Sequence, residues 1–250
     1  MQELRYRLAA RKGFWREYFF TGEVELRELS DYVKKGSIAV DVGGCIGSYA
    51  YHLSRFAKKV LVFEPNPEMA RQIERLRIRN VVVEQIALSS SSGGTATLQV
   101  PMNADGQVSK GMASLETKAL EGKEIFQSVS VPLRRLDDYG LENVSFIKID
   151  VEGHEEAVLA GALETIRANN PTLLIECEER HNPGGLERIK ETLSDLGYEG
   201  FFFDSRERKS IRDFDCERDQ NADVAKDKLM GAKIHRRSAR YINNFLFRHR

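Results

Sequence analysis

Three short stretches carry the residue types that could hold a ligand and act on it. The first is Asp41-Val-Gly-Gly-Cys-Ile-Gly47, an acid followed by closely set glycines. The second is Val62-Phe-Glu-Pro-Asn66, and the third is Phe146-Ile-Lys-Ile-Asp-Val-Glu-Gly-His-Glu155. Glycines at 43, 44 and 47 let a ligand approach the backbone with no Cβ in the way. A dinucleotide fingerprint needs glycine at its first, third and sixth places. Counted from Gly43 these places hold Gly43, Cys45 and Ser48, and counted from Gly44 they hold Gly44, Ile46 and Tyr49. Neither frame fits, which disfavours a nicotinamide-dependent oxidoreductase.

Asp41 argues the same way. A carboxylate at a strand tip repels a pyrophosphate and favours a ligand that carries an ammonium and a sulfonium. S-adenosylmethionine carries both. Glu64, before Pro65, is placed to accept the two ribose hydroxyls, as acids at strand ends do in nucleoside-binding sheets; as a solvated strand-end charge it would do nothing. Gln85 to Leu88, Ala87 included, should then lie near the adenine. Cys45 sits in the turn without a base or metal partner in the sequence and is read only as part of the cofactor loop. A group able to take a proton beside the ligand is the other requirement for chemistry. His154 is the candidate, beside Asp150, although His154 could equally be a structural hydrogen-bonding residue. Glu152, Glu155 and Glu156 suit a helix N-terminus. Asp150 and Glu176 should end neighbouring strands. With His154 they raise the further expectation of a hard-cation site for magnesium or calcium, against simple hydrogen bonding to an acceptor.

The elements that must position these residues alternate. Strands are expected at Ser37–Asp41, Val60–Phe63, Val81–Leu88, Phe146–Asp150, Thr172–Glu176 and Gly200–Phe203, with Tyr241–Phe247 as a last one. Helices are expected from the glycine turn to about Phe56, from Pro67 to about Arg79, over Glu155–Ala168 and over Leu186–Leu196. This rhythm predicts an α/β fold: a Rossmann-like, doubly wound, mostly parallel sheet with helices on both faces. Residues 95–133 form an excursion, two alternating strands around a polar segment. Residues 1–35 read as an amphipathic helical extension, with Leu4, Leu8, Trp15, Tyr18 and Phe19 near helical spacing. That extension either packs on the domain or docks on a membrane surface or a partner. Residues 36–250 make the catalytic domain, ending in a basic segment at 206–250.

The totals limit the alternatives. The chain has 250 residues, 41% of them hydrophobic, with a formal net charge of zero. One large domain is expected, with no nucleic acid as its default partner. The three cysteines, Cys45, Cys177 and Cys216, have no metal-ligand spacing, and no apolar run is long enough to span a membrane, so the cytoplasm is the expected compartment. Oligomeric state is open.

The same stretches resemble the FkbM-type methyltransferase family. The likeness runs over about Ser37–Glu178, with an echo at Tyr241-Ile-Asn-Asn-Phe-Leu-Phe247. It is carried by Val40–Gly47, Val62–Asn66, Asn80-Val81, Ala87-Leu88, Leu159–Gly161, Pro171–Glu176 and above all Phe146–Glu155. The family usually has Ala-Asn where this chain has Gly44-Cys45. What the resemblance implies is S-adenosylmethionine-dependent methyl transfer, commonly to a hydroxyl of a sugar, glycan or natural product. A non-catalytic scaffold that has kept the fold is the remaining rival, and the intact Asp41, Glu64 and Asp150 set argues against it.

Overall fold

The computed structural model describes residues 2–21, 23–102, 113–115, 126–220 and 241–250. Helices α1 (Gln2–Arg16) and α2 (Glu25–Tyr32) come first, joined through a π-helical turn at Glu17–Thr21. Then follow β1 (Ile38–Val42), α3 (Ser48–Leu53), β2 (Lys59–Phe63), α4 (Pro67–Arg75) and β3 (Val81–Glu84). Next are β4 (Ala87–Leu88), β5 (Thr95–Pro101), β6 (Phe126–Arg134) and β7 (Val144–Ile149). The chain continues through α5 (Glu155–Ala160), α6 (Leu163–Asn169), β8 (Thr172–Glu176), α7 (Gly185–Asp195) and β9 (Tyr198–Asp204). It ends with β10 (Glu207–Ser210), α8 (Cys216–Asp219) and β11 (Asn244–His249).

The main sheet has the order β10-β9-β11-β8-β7-β1-β2-β3. Strands β8, β7, β1, β2 and β3 pair in parallel, whereas β11 runs antiparallel to both β8 and β9. The central strands are covered on both faces, which is why they read as unbroken apolar runs rather than alternating ones. On one face Val40, Val42, Ile147 and Ile175 pack with Val158, Ile166, Ile189 and Leu193. On the other, Ala39, Val62, Phe146, Leu174 and Leu246 pack with Leu26, Leu29, Ala50 and Leu53. The chain leaves β1 toward β2 and β3, then returns to place β7 and β8 on the other side of β1. A crevice at the carboxyl ends of β1 and β7 is the place such a reversal opens for a ligand.

Several expectations are corrected in detail. The strand read as Val81–Leu88 bends at Gln85, where the Ile86 N–H donates back to Glu84 O at 3.0 Å. Its first half stays in the main sheet, while β4 joins β5 and β6 in a separate three-stranded sheet, order β4-β6-β5. That small sheet is the excursion's framework, with its own core of Ala87, Leu98, Val100 and Val131; residues 103–112 and 116–125 of the excursion lie outside the described residues. The helix read as Glu155–Ala168 is broken at Gly161. A Cβ there would stand 2.0 Å from Ser89 O, so the break admits the loop after β4. Within the basic segment, β10 and α8 form, and residues 221–240 lie outside the described residues. In the N-terminal helix, Phe14 is the buried residue, whereas Leu4, Leu8 and Phe19 are 52%, 59% and 56% exposed.

Candidate active site

The glycine turn has the shape its sequence requires. Gly43 and Gly47 adopt φ values of 82° and 86°, and Cys45 is held at 47°. The Asp150 N–H donates to Val42 O at 3.0 Å, drawing the two strand ends together. A Cβ on Gly43 would meet Asp150 O at 1.8 Å, and one on Gly44 would meet the Val62 side chain at 2.3 Å. Gly43→Ala therefore combines a left-handed backbone with a backbone clash. Overpacking costs about 1–3 kcal/mol and the left-handed conformation about 1–2 more. The expected outcome is a clear fall in the urea midpoint; an unchanged midpoint would show that the turn can relax around a methyl.

Glu64, just past β2, is buried and turned back onto that loop. Its Oε2 accepts from the Cys45 N–H at 2.7 Å and its Oε1 from the Asn66 N–H at 2.8 Å. Burial pushes its pKa up to about 7, against the pull of the two amides. An ionised carboxylate has about four acceptor sites, so each oxygen can still accept one hydroxyl.

An open cavity lies over these groups. Gly43, Cys45, Glu64, Pro65, Ala87, Asp150 and His154 all line it, as do Phe63, Asn66, Met69, Leu88 and Leu98. Other expected residues fall elsewhere. Gln85 is exposed at the bend before β4 and is absent from the lining; Ala87 and Leu88 form that wall instead. Gly44 and Gly47 shape the turn from behind, against Val62 and Ile73.

Asp41 is also absent from the lining. It is the penultimate residue of β1, so its side chain faces α3 rather than the crevice, and it is 0% exposed. Neither carboxylate oxygen has a partner at hydrogen-bonding geometry. Burial pushes its pKa up to about 6, opposed by Lys148.

Lys148, on the neighbouring strand and in register with Asp41, was not singled out by the sequence pattern. Its Nζ donates to Asp150 Oδ2 at 2.7 Å and lies 4.6 Å from the centre of the Tyr49 ring. The Tyr49 hydroxyl donates to Glu23, and Ser48 Oγ, at the start of α3, donates to Glu17 Oε2 at 2.6 Å. The N-terminal extension thus adds two acids beside the site, which its apolar periodicity alone could not reveal. Among the described residues Lys148 is the buried lysine or arginine, facing several buried or half-buried acids. A surround so rich in acidic side chains suits a cationic ligand such as S-adenosylmethionine.

The expected metal pair is arranged differently. Asp150 is taken by Lys148, and Glu176 Oε1 accepts from Asn243 Nδ2 at 2.5 Å. Among the described residues no group of three His, Cys, Asp or Glu side chains is set to hold a metal ion. The residues present do not fit one.

His154 stands just before α5, with its Nε2 3.0 Å from Ser89 Oγ. The loop that carries it is contorted: Glu152 adopts φ 53° and Gly153 φ 103°. A non-glycine residue there costs of order 1 kcal/mol or more and persists where surroundings fix it. Here the Glu152 carbonyl accepts from Ser114 Oγ at 2.7 Å, and its carboxylate lies 3.0 Å from His181 Nδ1. His181 is thereby attached to the site. His52 packs under the N-terminal segment, stacked on Tyr18, and burial lowers its pKa to about 4.

A parallel sheet reversing at β1, a glycine turn on that strand and a buried acid ending the next define a nucleoside-binding enzyme of the doubly wound α/β class. The family described as "Methyltransferase FkbM domain" matches residues 41–199. The chain belongs to this FkbM methyltransferase family and is an S-adenosylmethionine-dependent methyltransferase. It is 30% identical over 172 residues to the hexuronic acid methyltransferase AglP of Haloferax volcanii, covering 66% of this chain and 67% of that one. It is 29% identical over 191 residues to the methyltransferase sdnD of Sordaria araneosa, covering 64% of this chain and 73% of that one. The crystal structure of an FkbM methyltransferase from Methylobacillus flagellatus KT superposes with a TM-score of 0.50 at 17% identity. That likeness covers 85% of this chain and 43% of the other, and bears on the fold alone. No helix among the described residues is long and apolar enough to cross a membrane.

Proposed function

We propose that the protein methylates a hydroxyl of a sugar, a glycan or a related natural product, with His154 as the general base. The observation that carries this reading is that His154 and Asp150 line the same cavity as Gly43, Cys45 and Glu64. The proton acceptor and the donor-holding groups are therefore neighbours. The hexuronic acid methyltransferase relative supports a sugar as the acceptor class.

When bound, S-adenosylmethionine supplies an electrophilic methyl on a sulfonium, which leaves with the bonding pair as a neutral thioether. Glu64 accepts the ribose hydroxyls, and the turn from Gly43 to Cys45 brings backbone to the donor's edge. Asp41 and Asp150 favour positive charge from beneath and beside the cavity. His154 takes the proton of the attacking hydroxyl while Ser89 orients its ring. The remaining work is alignment of the acceptor oxygen with the methyl, which a fixed loop can provide.

The direct test is incubation with S-adenosylmethionine and a panel of neutral sugars, uronic acids and glycosides, followed by mass analysis. A gain of one methyl that survives mild base identifies an ether; a base-labile methyl would mean that a carboxylate is the acceptor and that the hydroxyl reading is wrong. Donor binding is checked separately by thermal unfolding. Ligand at about a hundred times its Kd should add roughly 2.7 kcal/mol of stability.

A further inference from the structure

Helix α1 carries apolar side chains on two sides, and the domain covers one of them. Phe14 is buried against Tyr51 of α3, with ring centres 5.4 Å apart, and its carbonyl lies 3.3 Å from His52 Nε2. The Tyr6 hydroxyl donates to Gln72 O of α4 at 3.2 Å, and the Arg75 guanidinium sits 4.1 Å above its ring. These contacts fix the rotation of the helix. At about 3.6 residues per turn, Leu4, Leu8 and Trp15 form a row on the outward side. Phe19 extends it, stacked on Trp15 with ring centres 5.5 Å apart. Leu4, Leu8 and Phe19 are 52%, 59% and 56% exposed. By the same period Arg11 borders the row on one side and Arg5, Lys12 and Arg16 on the other, all of them exposed. The one acid of the helix, Glu3, is held by Arg75 at 2.9 Å.

We propose that this outward face docks on an anionic membrane surface. The leucines and Phe19 enter the headgroup layer and the flanking cations meet lipid phosphates. An apolar row bordered by Arg and Lys is what an interfacial helix presents, and anionic headgroups attract basic side chains beside them. Charge decides against the alternatives. A second copy seated on this face would set Arg5, Lys12 and Arg16 against like charges, and a nucleic acid would leave the leucines without a role. The helix also leads to the site. Glu17, the residue after Arg16, accepts from Ser48 Oγ at 2.6 Å, so docking holds the cofactor turn close to the lipid.

Trp15 is the single tryptophan of the chain, so its emission reads this face directly. The protein would be titrated with phosphatidylcholine vesicles and with vesicles that also contain phosphatidylglycerol, each with and without brominated acyl chains. On phosphatidylglycerol vesicles the emission should shift to the blue and be quenched by the brominated chains. Binding to phosphatidylcholine alone should be weaker by about tenfold or more. Each basic residue beside an anionic surface contributes about fivefold, so Arg5→Gln with Lys12→Gln should weaken binding by about 25-fold. Leu4→Ser with Leu8→Ser should weaken it by about tenfold or more and relieve the quenching. All four positions are exposed, so the urea midpoints of both variants should match that of the wild type.

A wild-type emission unmoved by phosphatidylglycerol vesicles would overturn the proposal. Equal binding to both kinds of vesicle would do the same, as would binding that both variants keep at full strength. Sedimentation velocity without lipid covers the remaining case. A dimer that Leu4→Ser with Leu8→Ser breaks would make this face a contact between copies and overturn the membrane reading. Neither donor nor acceptor enters these titrations, so failure of the methyl-transfer reading would leave their result standing.

Discussion

Replacing Glu64 with alanine is expected to weaken S-adenosylmethionine binding by about 10²–10⁴-fold. Two hydroxyls would lose a charged acceptor, and hydrogen bonds to charged groups contribute about 1.5–3 kcal/mol each. The same change frees the Cys45 and Asn66 amides that Glu64 holds, so the turn loses its brace as well. Glutamine is a poor rescue. Each Glu64 oxygen accepts from a backbone N–H, so an NH₂ in either place sets a donor against a donor. Calorimetric titration with donor checks this, and a Kd within threefold of wild type for Glu64→Ala would move the ribose contact to another residue.

The raised pKa of Glu64 adds a pH dependence whose sign is fixed. An ordinary glutamate ionises near 4.5, whereas buried Glu64 does so near 7. The unfolded chain therefore releases this proton first, and the ligand-free fold loses stability from this group as pH rises from 4.5 through 7. Donor binding favours the ionised form, so affinity should fall by up to about tenfold per pH unit below 7. Calorimetry in buffers of different ionisation heat should show proton release on binding near pH 6.5. A Kd that is flat between pH 5.5 and 8 would mean that the carboxylate ionises without the ligand's help.

His154→Ala is expected to cut turnover by about 10²–10⁴-fold, the usual worth of a positioned base, and to leave donor affinity within about threefold. His154 hydrogen-bonds Ser89 at the start of the loop after β4, away from the Glu64 contacts to the cofactor turn, so its loss should leave those contacts in place. Single-turnover rates with saturating donor separate the chemical step from binding. Full turnover in a folded variant would return the histidine to a structural role and leave Asp150 as the proton acceptor.

Much of this site was legible because its residues lie at strand ends. Asp41, Glu64, Asp150 and Glu176 each close a short apolar run, and period alone locates the ends of such runs. The direction in which each points is a finer matter. One residue of strand register separates Asp41, turned toward α3, from the turn that lines the cavity. Glu17 and Glu23 reach the site from a segment whose sequence advertised only its apolar face. Lys148 sits inside a strand, where a charge reads as an interruption until three-dimensional neighbours are known. The bend at Gln85 and the break at Gly161 were hidden for a similar reason. The first turns on a local hydrogen bond and the pairing of β4 with distant β6, the second on a close backbone approach by the loop after β4, and neither leaves a periodic trace.

The placement of β11 bears on how the chain is made. As synthesis proceeds, β1, β2, β3, β7 and β8 can pair once Glu176 has emerged from the ribosome. The β9–β10 hairpin emerges next but has no place against β8, because β11 must lie between them. The interval from residue 176 to residue 249 takes roughly 4–15 s at typical elongation rates. Throughout it the inner edge of β8 carries unpaired backbone groups beside Leu173, Leu174 and Ile175, the kind of edge that recruits strands from other chains. A nascent or truncated chain lacking Asn244–His249 should therefore aggregate through β8 even with its cofactor crevice largely formed.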